Sequence, residues 1–490
     1  MGGNLVEKTA NARGVIADES GEFLGAFNNA LLNMTAEQRA TLQAHLGVDA
    51  IQERVAVLEG VSGGGTPTPT PGPTPSPGPT PTSIPAAIPL GDWSQRSLLH
   101  NPPASVTAVP SSDNPYGQSS VIQIDAGAAA TVSIANSAVM SPPVDVRNGA
   151  IHMPFKPVFR GHEFSVSSVK LYSSGSKAAP PANYHQLDRF GEGPSSMQAV
   201  VTSNGDAPGR WQVWGFPVGS ALKQVGTGAD LSAITWIEWE LRAGASGGKL
   251  ELGKRPLFQP NALTKAKAIF CFDDLHDTVF TTVRPLFNAL GWKFSFNGGA
   301  LNTTIGQPGR MTLAQCQQLV AEGHHMMLQA WSSEAQATID AMTDAQRAAE
   351  MQAQIDFMVA NGLMQPGDKR FGSYFSSVGD KDMTAFPMFR DYNTSGTRKH
   401  MQARSQNPPF YYGETFPWPD KHSIRAIAGE FTSPSDNRAV LYANAIADKG
   451  VAITNRHNDL TTLSADLDLL DGLRSQIDVV SAKQLLDAFV

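Results

Sequence analysis

Two cysteines in 490 residues, Cys271 and Cys316, exclude a disulfide framework. Cys271 falls in an expected strand and Cys316 in an expected helix, and both are expected as buried thiols. Charge is sparse: Asp, Glu, Lys and Arg make up 17% of the chain and leave a net charge of -7. No basic patch is visible, so nucleic acid is not expected as the main partner. No apolar run is long enough for a membrane span. Met1–Arg13 lacks the run of roughly seven apolar residues that an export signal needs. Val6 stands where N-terminal acylation would want Ser or Thr.

What is present starts with a spacer. Residues 62–85 alternate Pro with Thr, Ser and Gly, as in Thr66-Pro-Thr-Pro-Thr-Pro-Gly-Pro. Such a stretch cannot bury a core and is expected to run as an extended polyproline linker of about 3 Å per residue. A ligand for proline-binding domains is the other reading. Residues 1–61 ahead of it are expected to be a short α-helical anchor. Thr35 and Gln38 suit a capping box opening a helix through Leu46, and Val48, Ile51, Val55 and Leu58 follow a coiled-coil spacing. That pattern fits a trimeric neck, a helix docking on a larger assembly, or a small helix pair within one chain.

Residues 86–260 read as a β-sandwich of jelly-roll type, with carbohydrate binding as a candidate role. Ile237, Trp239 and Leu241 alternate with Glu238, Glu240 and Arg242, and Val121–Asp125, Ala130–Ile134 and Phe164–Val169 are further short strands. Trp211, Trp214, Trp236 and Trp239 are either core residues or platforms for pyranose rings.

The chemistry is expected in residues 261–490. The run Ala268-Ile-Phe-Cys-Phe272 would deliver Asp273 and Asp274 to the rim of a sheet. There one carboxylate can hold a metal while the other activates water; a helix cap or turn is the alternative.

Downstream segments carry a resemblance. Val283–Trp292 suits a helix leading to a strand at Lys293–Phe296, and Met311–His324 a helix closed by a Gly-His turn. Gly450–His457 suits a late strand ending in histidine, and Ile477–Leu486 a closing strand and helix. In this order the segments resemble the polysaccharide deacetylase family of carbohydrate esterases. The resemblance implies a distorted (β/α) barrel that uses a divalent metal, zinc foremost, to remove acetyl groups from capsule, O-antigen or peptidoglycan sugars. It makes Asp273 the general base, Asp274 a metal ligand and His457 the acid, with Arg370 orienting the base. The sequence departs from the family where further metal ligands are due: Gln329 and Ser333 stand where the family has histidines. An amide oxygen is a poor zinc ligand and a hydroxyl poorer. His324 and His325 are substitute ligands if the strand register differs, or else part of a helix-terminal turn. His276 is a ligand from the first loop or a solvated side chain, and His457 has a packed core histidine as its alternative. Tyr374 and Trp331 are candidate substrate-binding aromatics.

A glycan-directed domain without an export signal suits a virus particle. The order of anchor, linker, β module and glycan domain resembles a bacteriophage tail fibre or tailspike. Host surface polysaccharide is then the expected partner, with other tail or baseplate proteins met through the N-terminus and a homotrimer as the assembly. Three functions follow: a virion receptor-binding protein with weakened or lost catalysis, an active deacetylase on the same particle, or a bacterial cell-wall or capsule enzyme working extracellularly.

Overall fold

The computed structural model describes residues 82–489, apart from 96–103, 113–118, 137, 159–163, 176–178, 188–210, 246, 300, 330–341, 369–370, 375–394, 399–414, 419–423, 426, 429–435 and 459. The anchor, most of the linker, and the trimer neck expected before residue 62 lie outside the described residues.

Among the described residues, thirteen short strands build the first half. They are β1 (Ile88–Pro89), β2 (Trp93–Gln95), β3 (Ala104–Pro110), β4 (Ser120–Ala126), β5 (Thr131–Asn136), β6 (Gly149–Pro157) and β7 (Phe164–Tyr172). Then come β8 (Tyr184–Leu187), β9 (Gln212–Pro217), β10 (Leu222–Val225), β11 (Trp236–Ala243), β12 (Gly248–Gly253) and β13 (Leu257–Pro260). They pair antiparallel into two sheets, one ordered β1-β13-β6-β12-β4-β3 with β9 beside β6, the other β10-β8-β7-β11-β5-β2. Inward residues of both sheets, among them Ile124, Ile151, Leu250, Val132, Leu171 and Trp239, join in one buried cluster. The strand period explains it: Ile237, Trp239 and Leu241 are at most 1% exposed and meet that cluster, while Trp236 and Glu238 lie on the other face of β11. There Trp236 stacks on Tyr172 with ring centroids 3.8 Å apart, and Glu238 accepts from Ser133 Oγ at 2.8 Å. Both Trp236 and Trp239 are therefore packing residues. Trp211 is half-buried with Lys156 Nζ 5.1 Å above its ring, and the side chain of Trp214 lies outside the described residues.

The second half is parallel. Its strands are β14 (Ala266–Phe272), β15 (Ser295–Phe296), β16 (His325–Met326), β17 (Leu328–Gln329), β18 (Phe371–Tyr374), β19 (Ser395–Arg398), β20 (Ile424–Arg425), β21 (Ile427–Ala428), β22 (Val451–Arg456) and β23 (Ile477–Val479). One sheet runs β16-β15-β14-β22-β21 with β23 on β14, and another runs β17-β18-β19-β20. The segments 325–329 and 424–428 each contribute to both sheets, so the pairings run in a ring. Alternation along β14 divides its surroundings. Ala268, Phe270 and Phe272 pack with helix residues such as Val283, Phe287, Leu319 and Leu467, whereas Ile269 and Cys271 join Met327, Ile453, Ala482 and Leu485 inside the ring.

The described α-helices are α1 (Val218–Ala221), α2 (Arg284–Ala289), α3 (Leu301–Thr304), α4 (Leu313–Ala321), α5 (Asp344–Ala360), α6 (Asp436–Asp448), α7 (Leu463–Gly472) and α8 (Ala482–Asp487), beside a 3-10 turn at Leu231–Ala233 and a π-helical turn at Val279–Val283. Caps written in the sequence start three of them: Thr312 with Gln315, Thr343 with Gln346 and Ser481 with Gln484 each form a full capping box. Among the described residues no helix is long and apolar enough to cross a membrane.

The two halves are joined by polar bonds. The Ser220 amide on α1 donates to Asp448 Oδ1 at 2.7 Å, and its hydroxyl bonds the other carboxylate oxygen. Asn261 Nδ2 donates to the carbonyls of Asp448 at 2.7 Å and Lys449 at 2.9 Å. At the linker's end, the Thr82 amide donates to the Ala488 carbonyl at 2.9 Å, and Thr82 pairs in parallel with Phe489.

Candidate functional site

Asp273 continues the inward face of β14 and is wholly buried. Its amide donates to the Arg456 carbonyl at 2.7 Å, which sets the end of β22 against the end of β14. Asn297, just past β15, donates Nδ2 to Asp273 Oδ1 at 2.8 Å. Beyond Asp273 the chain turns sharply. Asp274 has φ 67° and Leu275 φ 54°. Aspartate tolerates the left-handed region, but leucine adopts it only where its surroundings compel it. Leu275 is compelled: its side chain is fully buried, its amide donates to the Asn297 carbonyl at 3.0 Å and its carbonyl accepts from Met311 at 2.8 Å. A Cβ on Gly298 would lie 2.5 Å from Leu275 Cγ, so only glycine admits this packing.

The turn brings Asp274 back to its neighbour. His457, the residue after β22, has Nε2 3.9 Å from Asp273 Oδ2 and 3.9 Å from Asp274 Oδ2. Its side chain is 36% exposed and that of Asp274 is 30% exposed, while Asp273 lies beneath both. At 3.9 Å the imidazole is in ion-pair reach of either carboxylate and beyond hydrogen-bond length. Two acids and a histidine that meet this way can shuttle a proton or hold a cationic or hydroxylated guest.

Arg456 explains why His457 sits there. Its guanidinium points away from the ring interior, is entirely buried, and bonds Asp466 of α7, which also pairs with Arg438 of α6. Arg456 Nη1 donates to Thr462 Oγ1 at 3.1 Å as well. Charge-assisted bonds therefore fix the residue before the histidine.

The adjacent histidines, expected as substitute metal ligands, are committed elsewhere. His324 Nδ1 accepts from the Phe294 amide at 3.2 Å, which leaves Nε2 to donate to Asn288 Oδ1 at 3.3 Å, and the ring lies over Phe294 with centroids 3.9 Å apart. Neither ring nitrogen has a lone pair left for a metal. Burial, with the Lys293 charge, pushes this imidazole down to about 4. His325 faces Ser295 Oγ, 3.5 Å from its Nδ1, and that hydroxyl accepts from the Ala482 amide at 3.0 Å. Burial pushes His325 down to about 3. In register it stands opposite Ser295 and hence Cys271, two residues short of Asp273. It lines a cavity of about 310 Å³ with Leu363, Asp368, Ser481 and Lys483, and neither Asp273 nor Asp274 borders that cavity. His276 is half-buried and accepts at Nε2, 3.2 Å away, from Arg310 Nη1, which also donates to the Asp274 carbonyl. Burial first, and then the Arg310 charge, hold His276 below its usual range.

Gln329 ends β17 and is 4% exposed. Tyr374 closes β18; its side chain, and all of Trp331, Ser333 and Arg370, lie outside the described residues. A zinc ion wants nitrogen, sulfur and carboxylate ligands in a tetrahedron. Here Asp274 faces a histidine, Gln329 offers an amide, and His324 is spent on protein partners. Among the described residues no group of three or more His, Cys, Asp or Glu is placed to hold a metal. The described residues do not fit zinc.

Two contributors carried no motif. Asn297 steadies Asp273, and Asn455 lies inward on β22 opposite Cys271. The available signal for Asn455 was a lone amide following the apolar run Val451-Ala-Ile453. For Asn297 it was a polar residue directly after Phe294-Ser-Phe296.

No protein-family model and no curated protein sequence matches the chain. Solved structures do. The family 4 acetyl xylan esterase from Clostridium thermocellum, in complex with a cobalt ion, is 17% identical, with 45% of this chain and 91% of that one covered at a TM-score of 0.30. A CE4 family pseudoenzyme from Bacillus anthracis is 11% identical over 46% of this chain and 67% of its own, at a TM-score of 0.31. A family 11 carbohydrate-binding module from Clostridium thermocellum, in complex with a β-1,3-1,4-mixed-linked tetrasaccharide, is 11% identical over 34% of this chain and 89% of that one, at a TM-score of 0.23. Likenesses this distant do not bear on what this chain does.

Proposed function

We propose that this protein binds surface polysaccharide at the strand ends around Asp273, Asp274 and His457, with ester or amide hydrolysis weakened or lost. It does so as the receptor-binding fibre or spike of a virus particle, attached through residues 1–61 and held off by the linker at 62–85. One observation carries the binding reading: the two carboxylates and His457 converge while the imidazole of His324 is bonded on both nitrogens to protein. Acid and base side chains remain where a sugar can meet them, without, among the described residues, the ligands that would make a zinc-bound water. The half-exposed rim formed by Asp274 and His457 suits hydroxyl groups, which both donate and accept.

The test uses the full chain with polysaccharide extracted from candidate host surfaces, measuring retention on the immobilised glycan and acetate release in parallel. Retention without acetate is the expected result. Acetate release that Asp273→Asn lowers by about a hundredfold or more would instead establish an active deacetylase. Particles that assemble with a chain lacking residues 1–61 would refute the attachment role.

A further inference from the structure

Three buried amides share the inward face with Asp273. Asn455 is 4% exposed, and neither its Oδ1 nor its Nδ2 has a partner among the described residues. Asn297 is fully buried; its Nδ2 is held by Asp273, which fixes the orientation of its amide and leaves Oδ1 without a partner among the described residues. Gln329 Oε1 is likewise buried and without one. Alternation places all three inward, Asn455 with Ile453, Asn297 with Ser295, and Gln329 with Met327. Buried polar atoms are nearly always bonded, so a cluster of exceptions beside a carboxylate pair marks a place for a guest.

The chemistry of that guest follows from which groups are spent. The amides of Asp273, Leu275, Asn297 and Met327 already donate to the carbonyls of Arg456, Asn297, Phe272 and Phe296, at 2.7, 3.0, 2.9 and 2.8 Å. A carbonyl group arriving here, such as that of an acetyl substituent, finds none of those four donors free. Acceptors outnumber the one open amide donor, Asn455 Nδ2: they are the oxygens of Asn297, Gln329 and Asn455, and the partly exposed carboxylate of Asp274. An ammonium group has three donors, no acceptor, and a charge that two aspartates favour.

Resting on the glycan reading of this site, we propose that the interior below Asp273 receives the ammonium group of a 2-amino-2-deoxy sugar. The domain thereby recognises glycan whose amines are free and discriminates against acetylated chains. The ring hydroxyls stay at the rim with Asp274 and His457.

Calorimetric titration of the full chain in EDTA, with glucosamine hexasaccharide and separately with its fully N-acetylated counterpart, tests this. The free-amine oligomer should bind about tenfold or more tighter, as expected for hydrogen bonds to a charged group. Asn455→Leu and Gln329→Met should each weaken it by a similar factor while the circular dichroism spectrum stays unchanged. Equal or tighter binding of the acetylated oligomer overturns the proposal, whatever the variants do. So does a thermal shift produced by calcium alone with no response to the amine, which would assign the oxygens to a hard cation. If extracted polysaccharide is retained and neither hexasaccharide binds, the ammonium inference fails and the glycan reading stands; if nothing is retained, the glycan reading itself fails.

Discussion

Ser220 on α1 and Asp448 at the end of α6 meet where the two halves join, the Ser220 amide donating to Asp448 Oδ1 at 2.7 Å. Gly219 is glycine for the same reason, since a Cβ there would lie 2.6 Å from that oxygen. Burial lifts the Asp448 carboxyl from its ordinary 3.8 to about 6, more than the bonds from Ser220 lower it.

An acid whose pKa is higher in the fold than in the unfolded chain stabilises the fold fully below its unfolded value. That contribution is lost as pH rises through the folded value. Stability attributable to Asp448 should therefore fall by roughly 3 kcal/mol at most between about pH 4 and pH 6. Urea denaturation of wild type and Asp448→Asn across this window checks it. Parallel stability curves would show that the carboxyl is solvated.

His324 and His325 shift the other way, pushed down by burial to about 4 and about 3. Their neutral forms suit the fold, so the stability they contribute is complete above about pH 6.5 and is lost as pH falls toward 4. Their ring proton resonances should not titrate between pH 8 and pH 5. A midpoint near 6.5 for either would mean a solvated imidazole free to take a metal.

Gly298→Ala should push a methyl group into Leu275, whose left-handed backbone sets the direction of Asp274. We expect a loss of about 1–3 kcal/mol in stability. Retention on immobilised glycan should weaken with it, because Asp274 no longer meets His457. Wild-type retention in the variant would separate the turn from the site.

Asp466→Asn removes the buried anion that serves both Arg438 and Arg456. Breaking such a pair strands charge in the interior and costs about 3–5 kcal/mol. Chemical denaturation measures it. A loss under about 1 kcal/mol would mean that water reaches the two guanidinium groups.

Local patterns carried much of this architecture into the sequence. Ile237, Trp239 and Leu241 alternate because one face of β11 is core, and Asp273 could be placed at a strand end because the apolar run before it has strand length. The helix at 284–289 and the capped helix at 313–321 follow from their own residues. Pairing register is not local. Nothing in Gly323-His324-His325 reveals that one ring stacks on Phe294 and the other turns toward Ser295, since both partners lie about thirty residues earlier. The inward amides were illegible for a related reason: a single Asn has no spacing, and its meaning arises only when parallel strands bring Asn297 beside Asp273.

The bridge between Thr82 and Phe489 sets how this protein takes a pull. A pull applied to the chain ahead of Thr82 first loads its pairing with Phe489, where the Ala488 carbonyl holds the Thr82 amide. The next restraint is Gln259 Nε2 on the Pro85 carbonyl at 2.8 Å, and then the short pairing of Ile88 and Pro89 with β13. Tension thus peels a graded series of small contacts, and the sandwich core is reached last.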